Sequence, residues 1–145
     1  MTDGATILLV EDNTDDVFFM KRAFRTAGIN NPIQIANDGQ AAIDYLAGHG
    51  EFVDRAIYPL PCLVLLDLKL PGINGHEVLQ WIREQESLET LVVVMLTTSR
   101  ENRDIEQAYR LGCNAFLVKP SAPPKLIELV AALKQFWLVH NTLPV

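Results

Sequence analysis

The sequence predicts an α/β protein: a doubly wound, five-stranded parallel sheet with strand order 2-1-3-4-5. Short apolar segments alternate along the chain with longer segments whose apolar residues recur at helical spacing. The central apolar segment, 62–66, is rich in leucine and valine, which is typical of a strand buried on both faces of a parallel sheet. Parallel strands joined by helices need right-handed crossovers, so helices are expected on both faces.

The first half of the chain contains three predicted strands, at Ile7–Val10, Ile33–Ala36 and 62–66. Between the first two, 14–27 has helical spacing; Asn13 or Thr14 can cap its start, and Gly28 can end it. A second helix is predicted over 40–47, after the turn residues that precede it.

The second half continues the alternation. Asn74 is expected to cap a third helix, with Glu77 three residues later in a capping-box position. Strands are predicted over 91–96 and Ala115–Val118, and helices over 101–111 and 122–138.

Length and composition favour one domain, residues 1–145, with a core of about 5–138 and a C-terminal tail of 139–145. A formal net charge of −6 argues against a nucleic-acid-binding surface. The N-terminus lacks the basic region of a signal peptide, and no apolar run reaches the ~18 residues needed to span a bilayer. Cys62 and Cys113 are expected to be free thiols, as in a cytoplasmic protein.

Four predicted strands end in residues that carry chemistry: Glu11 and Asp12, then Asp67, Thr97 and Lys119. In the flavodoxin-like order 2-1-3-4-5, the first and third strands flank the switch point where a ligand crevice opens. Three carboxylates meeting there repel one another unless a cation offsets them. Few protein ligands and room for water favour Mg²⁺ over Ca²⁺.

This set of residues matches phosphoryl transfer. Asp67 is the expected nucleophile, because an aspartate can form an acyl phosphate. Mg²⁺, Lys119 and Thr97 are expected to hold the phosphoryl oxygens.

The chain resembles the receiver domain of two-component response regulators over nearly its whole length. The motifs that carry the resemblance are Val10-Glu11-Asp12-Asn13, Asp67 with Leu70-Pro71-Gly72 and Gly75, Thr97-Thr98, and Phe116-Leu117-Val118-Lys119-Pro120.

The resemblance implies a role for each matching residue. Asp67 is the expected phosphoacceptor, and Lys119 the lysine that senses the phosphate. Glu11 and Asp12 are the expected metal-binding acids, with the backbone carbonyl of Lys69 as a further ligand. Thr97 and Phe116 are the expected switch pair.

The implied function is a single-domain response regulator that accepts phosphate and switches protein–protein contacts, and is not a turnover enzyme. The chain departs from the family pattern at Glu11, where aspartate is commoner, although the longer side chain still reaches a metal. Lys69 beside the crevice either shields the acyl phosphate from water or points into solvent.

Two further features resemble the stand-alone regulators of the cyanobacterial phytochrome type: the long connection 48–61 and the C-terminal segment 136–145. This resemblance implies a sensor histidine kinase, a phytochrome-type one included, or a phosphotransfer protein as donor. It also implies a homodimer.

The last two helices and the fifth strand are the expected dimer contact, because Ile127, Ala131 and Leu138 fall outside the core stripe of the last helix and Phe136 adds apolar surface. The tail 143–145 either lies over the partner or folds back over its own chain and hides Phe136.

Other function classes remain as alternatives. A pseudo-receiver would bind partners without phosphorylation, but the acids, Thr97 and Lys119 are all present. An aspartyl-nucleophile phosphatase of the haloacid dehalogenase type needs an acid two residues after the nucleophile, where this chain has Lys69. A flavodoxin-like redox role is disfavoured because Glu11 and Asp12 would repel a flavin phosphate.

Overall fold

The computed structural model describes residues 4–143, which form a parallel sheet with helices on both faces. The elements are β1 (Ile7–Val10), α1 (Thr14–Thr26), β2 (Ile33–Ala36), α2 (Gly39–Ala47), β3 (Leu63–Leu66), α3 (Gly75–Glu84), β4 (Val93–Thr97), α4 (Asn102–Leu111), β5 (Ala115–Val118) and α5 (Pro123–Leu133). Short 3₁₀ turns cover Gly50–Phe52 and Glu86–Leu88, and a π-helical segment, Lys134–His140, follows α5.

The five strands lie in the order β2-β1-β3-β4-β5, all parallel, as predicted. β3 is the central strand, and β1 lies between β2 and β3, where its last residue, Val10, pairs with Ala36 of β2 and Leu66 of β3. The residues that follow, Glu11 and Asp67, therefore leave neighbouring strands at the same edge of the sheet.

The two faces of the sheet bury separate apolar cores. Leu8 and Val10 belong to the core that includes residues of α2, α3 and α4. Ile7 and Leu9 point to the opposite face and pack with residues of α1 and α5. This alternation is what a strand buried on both sides requires. Met20 and Met95 are also buried, one in each core.

Side-chain caps fix where the helices begin. The side chain of Asn13 accepts a hydrogen bond from the backbone N–H of Asp16 at 3.0 Å and so caps α1. The predicted capping box is present at α3, where Asn74 and Glu77 each accept from the other's backbone N–H. These caps set the directions of the loops that carry Glu11 and Asp67.

The long connection 48–61 is held by specific contacts. The guanidinium of Arg55 donates to the carbonyls of Tyr45, Leu46 and Tyr58 at 2.7–3.1 Å. The rings of Tyr45, Phe52 and Tyr58 pack against one another with centroids 5.1–5.9 Å apart. The connection therefore satisfies the carbonyls at the end of α2 and extends the core beneath them.

The end of the chain differs from the uniform helix predicted over 122–138. α5 ends at Leu133, and a π-helical segment continues to His140, after which the N–H of Asn141 donates to the carbonyl of Phe136. The wider π turn changes which of the residues after Leu133 face inward. Ile127 and Leu138, expected outside the core stripe, pack half-buried against the core instead.

Cys62 and Cys113 are free, as predicted. Within residues 4–143, no helix has the length and apolar character needed to cross a bilayer.

Two glycines allow the loop after β3 to pack closely. A Cβ at Gly75 would lie 2.3 Å from the carbonyl oxygen of Asp67, and one at Gly39 would lie 2.2 Å from that of Ile73. Both contacts are with backbone, which cannot move aside as a flexible side chain can. Gly75 therefore lets α3 start directly against the loop that holds Asp67.

We expect Gly75→Ala to lower the free energy of unfolding by about 1–3 kcal/mol, because the added methyl group forces the backbone of Asp67 to shift. Urea denaturation measures the change. Gly72→Ala is the control, since a Cβ there meets open space but the residue has φ +69°, which costs a non-glycine residue about 1 kcal/mol. If backbone dihedral angles alone determined stability, Gly72→Ala would lose more free energy of unfolding than Gly75→Ala. A loss in Gly75→Ala that is equal to or smaller than the loss in Gly72→Ala therefore contradicts the packing explanation.

Candidate functional site

Three carboxylates meet at the edge of the sheet where β1 and β3 end. Glu11, Asp12 and Asp67 can each present an oxygen within 4.8 Å of the others. Glu11 is buried, Asp67 is half-buried and Asp12 is exposed. The backbone positions them, since the N–H of Asp67 donates to the carbonyl of Val10 at 3.1 Å. The three predicted acids thus form one cluster with an open side.

One buried lysine faces these acids. Lys119 follows β5, and its side chain is 8% exposed. Its Nζ lies 2.5 Å from Glu11 Oε1, 3.7 Å from Asp16 Oδ2 and 3.9 Å from Asp67 Oδ2. Its backbone N–H donates to the carbonyl of Thr97 at 2.7 Å, which fixes the end of β5 beside β4. Lys119 therefore links the ends of β1, β3, β4 and β5.

Burial and charge act on this pair in opposite directions. Burial raises the pKa of Glu11 above its ordinary value, and the hydrogen bond and charge of Lys119 offset only part of that rise. Burial acts to lower the pKa of Lys119, but the hydrogen bond to Glu11 and the charges of Glu11, Asp67 and Asp16 outweigh it, so this pKa is raised. Lys119 is therefore held as a cation, and the charged form of Glu11 depends on a positive neighbour for its stability.

The donor set of the cluster suits a hard divalent cation. All three side chains offer carboxylate oxygens, the ligands that Mg²⁺ and Mn²⁺ accept, and the exposed position of Asp12 leaves room for water. Such an ion would share the carboxylate of Glu11 with Lys119. Among residues 4–143 this is the one such cluster of acids.

Thr97, at the end of β4, is fully buried. Its Oγ1 accepts a weak hydrogen bond from the N–H of Ser99 at 3.4 Å. The hydroxyl of Ser99 in turn donates to Asp104 Oδ2 at 2.6 Å, and the ring of His76 on α3 contacts the carbonyl of Asp104 at 3.0 Å. The loop after Thr97 is therefore tied to the first turn of α4 and through it to α3.

Two further predicted residues have side chains outside the acidic cluster. Phe116 on β5 is half-buried and packs against the core on the α2–α4 face. The side chain of Lys69 is exposed, which agrees with the solvent-directed alternative, while its backbone N–H donates to Asp67 Oδ1 at 3.3 Å.

Sequence reasoning did not single out Asp16, which faces Lys119 from the first turn of α1. An acid in a first helical turn has an ordinary explanation in the helix dipole, so no feature of the sequence marked Asp16 as part of the site.

The comparisons with known proteins agree with this geometry. The family model for the response regulator receiver domain matches residues 7–131. The chain is 42% identical over 142 residues to the probable methanogenesis regulatory protein FilR2 of Methanothrix harundinacea, covering 98% of this chain and 89% of that one. It is 38% identical over 138 residues to the response regulator Rcp1 of Synechocystis, covering 95% and 92%.

Solved structures show the same fold. The phosphorylated cyanobacterial phytochrome response regulator RcpA is similar with a TM-score of 0.90 and 34% identity, over 97% of this chain and 99% of that one. The Mn²⁺-bound form of Rcp1 is similar with a TM-score of 0.87 and 37% identity, over 97% and 99%.

Proposed function

The chain belongs to the response regulator receiver domain family, and from that premise we propose that it is a single-domain regulator phosphorylated on Asp67. The observation that carries the proposal is the position of Asp67. Its carboxylate lies in the acidic cluster, and one of its oxygens is 3.9 Å from the buried ammonium of Lys119. A nucleophilic carboxylate beside a fixed cation suits the acceptance of a phosphoryl group.

We propose that Glu11, Asp12 and Asp67, with the backbone carbonyl of Lys69, hold Mg²⁺. The Mn²⁺-bound form of Rcp1 supports a divalent ion in a protein of this kind. The ion would supply positive charge to the phosphoryl oxygens. In this proposal a carboxylate oxygen of Asp67 bonds to the phosphorus as the bond between the phosphorus and the donor breaks, so that the donor group leaves with that electron pair. Lys119 then pairs with a phosphoryl oxygen.

Thr97 and Phe116 are the proposed switch pair. Thr97 ends the strand next to β3, and the loop that follows it is bonded to α4. A hydroxyl that turned toward a phosphoryl group would draw this loop with it. Phe116 lies on the edge strand β5, paired with Met95 of β4, so its ring is well placed to respond when the loop after β4 moves.

This proposal explains the site better than the alternatives. A phosphatase of the haloacid dehalogenase type would need an acid at the position of Lys69, whose side chain is exposed and cationic. A pseudo-receiver has no use for a lysine buried against three carboxylates, an arrangement that carries a substantial desolvation cost. We therefore infer a stoichiometric phosphate acceptor, not a turnover enzyme.

The proposed donor is a sensor histidine kinase or a phosphotransfer protein. The similarity to RcpA and Rcp1, along nearly the full length of both, supports a donor of the phytochrome type. Free Cys62 and Cys113 fit a reducing compartment such as the cytoplasm. The output would be protein–protein contact, without nucleic acid or membrane binding.

We expect acetyl phosphate with Mg²⁺ to add one phosphate to the wild type and none to Asp67→Asn, because of the two cluster acids beside Lys119 only Asp67 is partly exposed, whereas Glu11 is buried and hydrogen-bonded to the lysine. Intact-mass spectrometry measures the addition. Asp54→Asn, which changes an exposed acid in the connection 48–61, is the control and should label like the wild type. Labelling of Asp67→Asn, or full labelling of the wild type in excess chelator, contradicts the proposal.

We further propose a homodimer formed through α4, β5 and α5 with its π-helical extension. Phe136 is 55% exposed and Val139 54% exposed, and the ring of Phe136 packs on Trp137 with centroids 4.8 Å apart. On α4, Tyr109 is 52% exposed. Exposed aromatic and aliphatic side chains of this size favour a contact with another surface.

The alternative predicted for the tail was that it folds back over its own chain, and the structure describes the tail as far as residue 143. Leu143 packs half-buried against the core of its own chain, and the described residues do not hide Phe136. Pro144 and Val145, which the sequence predictions also included, lie outside the described residues.

We expect Phe136→Glu to give a monomer that still accepts phosphate, because a two-fold contact introduces the charge twice. Light scattering over a range of concentrations measures the mass. Phe18→Glu is the control, since Phe18 is 62% exposed on α1, outside the proposed contact, and its substitution should leave the dimer intact. A wild type that is monomeric in both phosphorylation states contradicts the dimer, and a dimeric Phe136→Glu contradicts this surface.

A further inference from the structure

Lys119 has three carboxylate neighbours, and they differ in what else they can do. Glu11 and Asp67 belong to the acidic cluster that suits a divalent cation. Asp16, at 3.7 Å from Nζ, is not part of that cluster. Asp16 is therefore the neighbour whose charge remains available to Lys119 when a cation engages the other two.

A cation in the cluster changes the surroundings of Lys119. The ion and the ammonium are both positive, so they repel each other and compete for the carboxylate of Glu11, which Lys119 contacts at 2.5 Å. The lysine side chain is 8% exposed and cannot exchange its partner freely for water. It needs another anion close by if it is to stay charged and ordered.

The structure offers that anion, and space beside it. Asp16 and Lys119 both line a cleft of about 310 Å³ between α1 and the start of α5, whose other walls include Phe19, Pro120 and Pro123. The backbone N–H of Asp16 donates to the capping side chain of Asn13, which fixes the start of α1, and from there its carboxylate reaches to 3.7 Å from the lysine.

We propose that Asp16 is a positioning residue that takes up the charge of Lys119 when a divalent cation binds Glu11 and Asp67, so that the lysine stays beside the phosphoacceptor. This inference rests on the proposed function, in which the cluster binds Mg²⁺ and Lys119 serves the phosphoryl group. Asp16 is 42% exposed, so its contribution is that of a partly screened ion pair.

The neighbouring Asp15 provides a matched control. Both acids lie in the first turn of α1 and interact with the same helix dipole, but Asp15 is exposed, whereas Asp16 contacts Lys119. Replacing either by asparagine removes the same charge. Only Asp16→Asn removes the contact.

The test measures the affinity for Mg²⁺ by calorimetry, without any phosphodonor. Asp16→Asn should weaken binding roughly two- to fivefold relative to Asp15→Asn, the range expected for a partly exposed ion pair. Asp16→Glu should restore most of the affinity. Urea denaturation of the same variants should give closely similar midpoints, since a purely structural role would change stability and not cation affinity.

Repeating both asparagine substitutions in a Lys119→Met background shows whether the larger loss of Mg²⁺ affinity in Asp16→Asn acts through Lys119. The excess of Asp16→Asn over Asp15→Asn should disappear there. If Asp16→Asn and Asp15→Asn weaken Mg²⁺ binding equally in the otherwise unchanged chain, the inference is overturned. It is also overturned if Asp16→Asn still weakens Mg²⁺ binding more than Asp15→Asn when Lys119 is absent. A wild type that binds no Mg²⁺ overturns the proposed function and the inference with it, so the two failures can be told apart.

Discussion

The site depends on one buried ammonium group shared among several carboxylates. Glu11 is 2% exposed and Lys119 is 8% exposed, so neither charge can rely on water for its stability. Isolated charges at such positions cost several kcal/mol, and removal of one partner leaves the other uncompensated. The ends of β1 and β5, which carry these two residues, are therefore held together by charge as well as by the strands between them.

The same buried pair of charges would make the site sensitive to an added cation or anion. Glu11 is neutralised by Lys119 in the structure, but a divalent cation can neutralise it as well. Lys119 is 3.9 Å from Asp67, so a phosphoryl group on Asp67 would add a new anion within its reach. A ligand shifts a conformational equilibrium only through contacts that differ between the states, and the balance among the carboxylate neighbours of Lys119 would differ once a cation or a phosphoryl group is present.

The fold could be predicted from sequence because its signals are local. Apolar strands, helical periodicity and the caps at Asn13 and Asn74 each depend on a few neighbouring residues, and the structure has them where they were expected. The convergence of Glu11, Asp12, Asp67 and Lys119 followed from strand order, since the carboxyl ends of parallel strands share one edge.

What the sequence could not predict depends on distances between elements. Nothing local distinguishes Asp16, which contacts Lys119, from Asp15, which does not. The π-helical winding after Leu133 was also missed, because its residues have the apolar pattern of an ordinary helix. Leu138 in this segment and Ile127 in α5 before it were both expected outside the core stripe of the last helix, and both instead contact the core.

The central claim is that Lys119 neutralises buried Glu11 and that a divalent cation can do so in its place. The most direct test is the free energy of unfolding of the wild type and of Lys119→Met, each with and without saturating Mg²⁺. Without the ion, Lys119→Met should be less stable by about 3 kcal/mol, because Glu11 remains buried without its partner. Mg²⁺ should then stabilise Lys119→Met more than the wild type, since the ion replaces the missing ammonium without having to compete with it. Equal stabilisation of the two proteins by Mg²⁺, or no loss of stability on removing Lys119, would contradict the account.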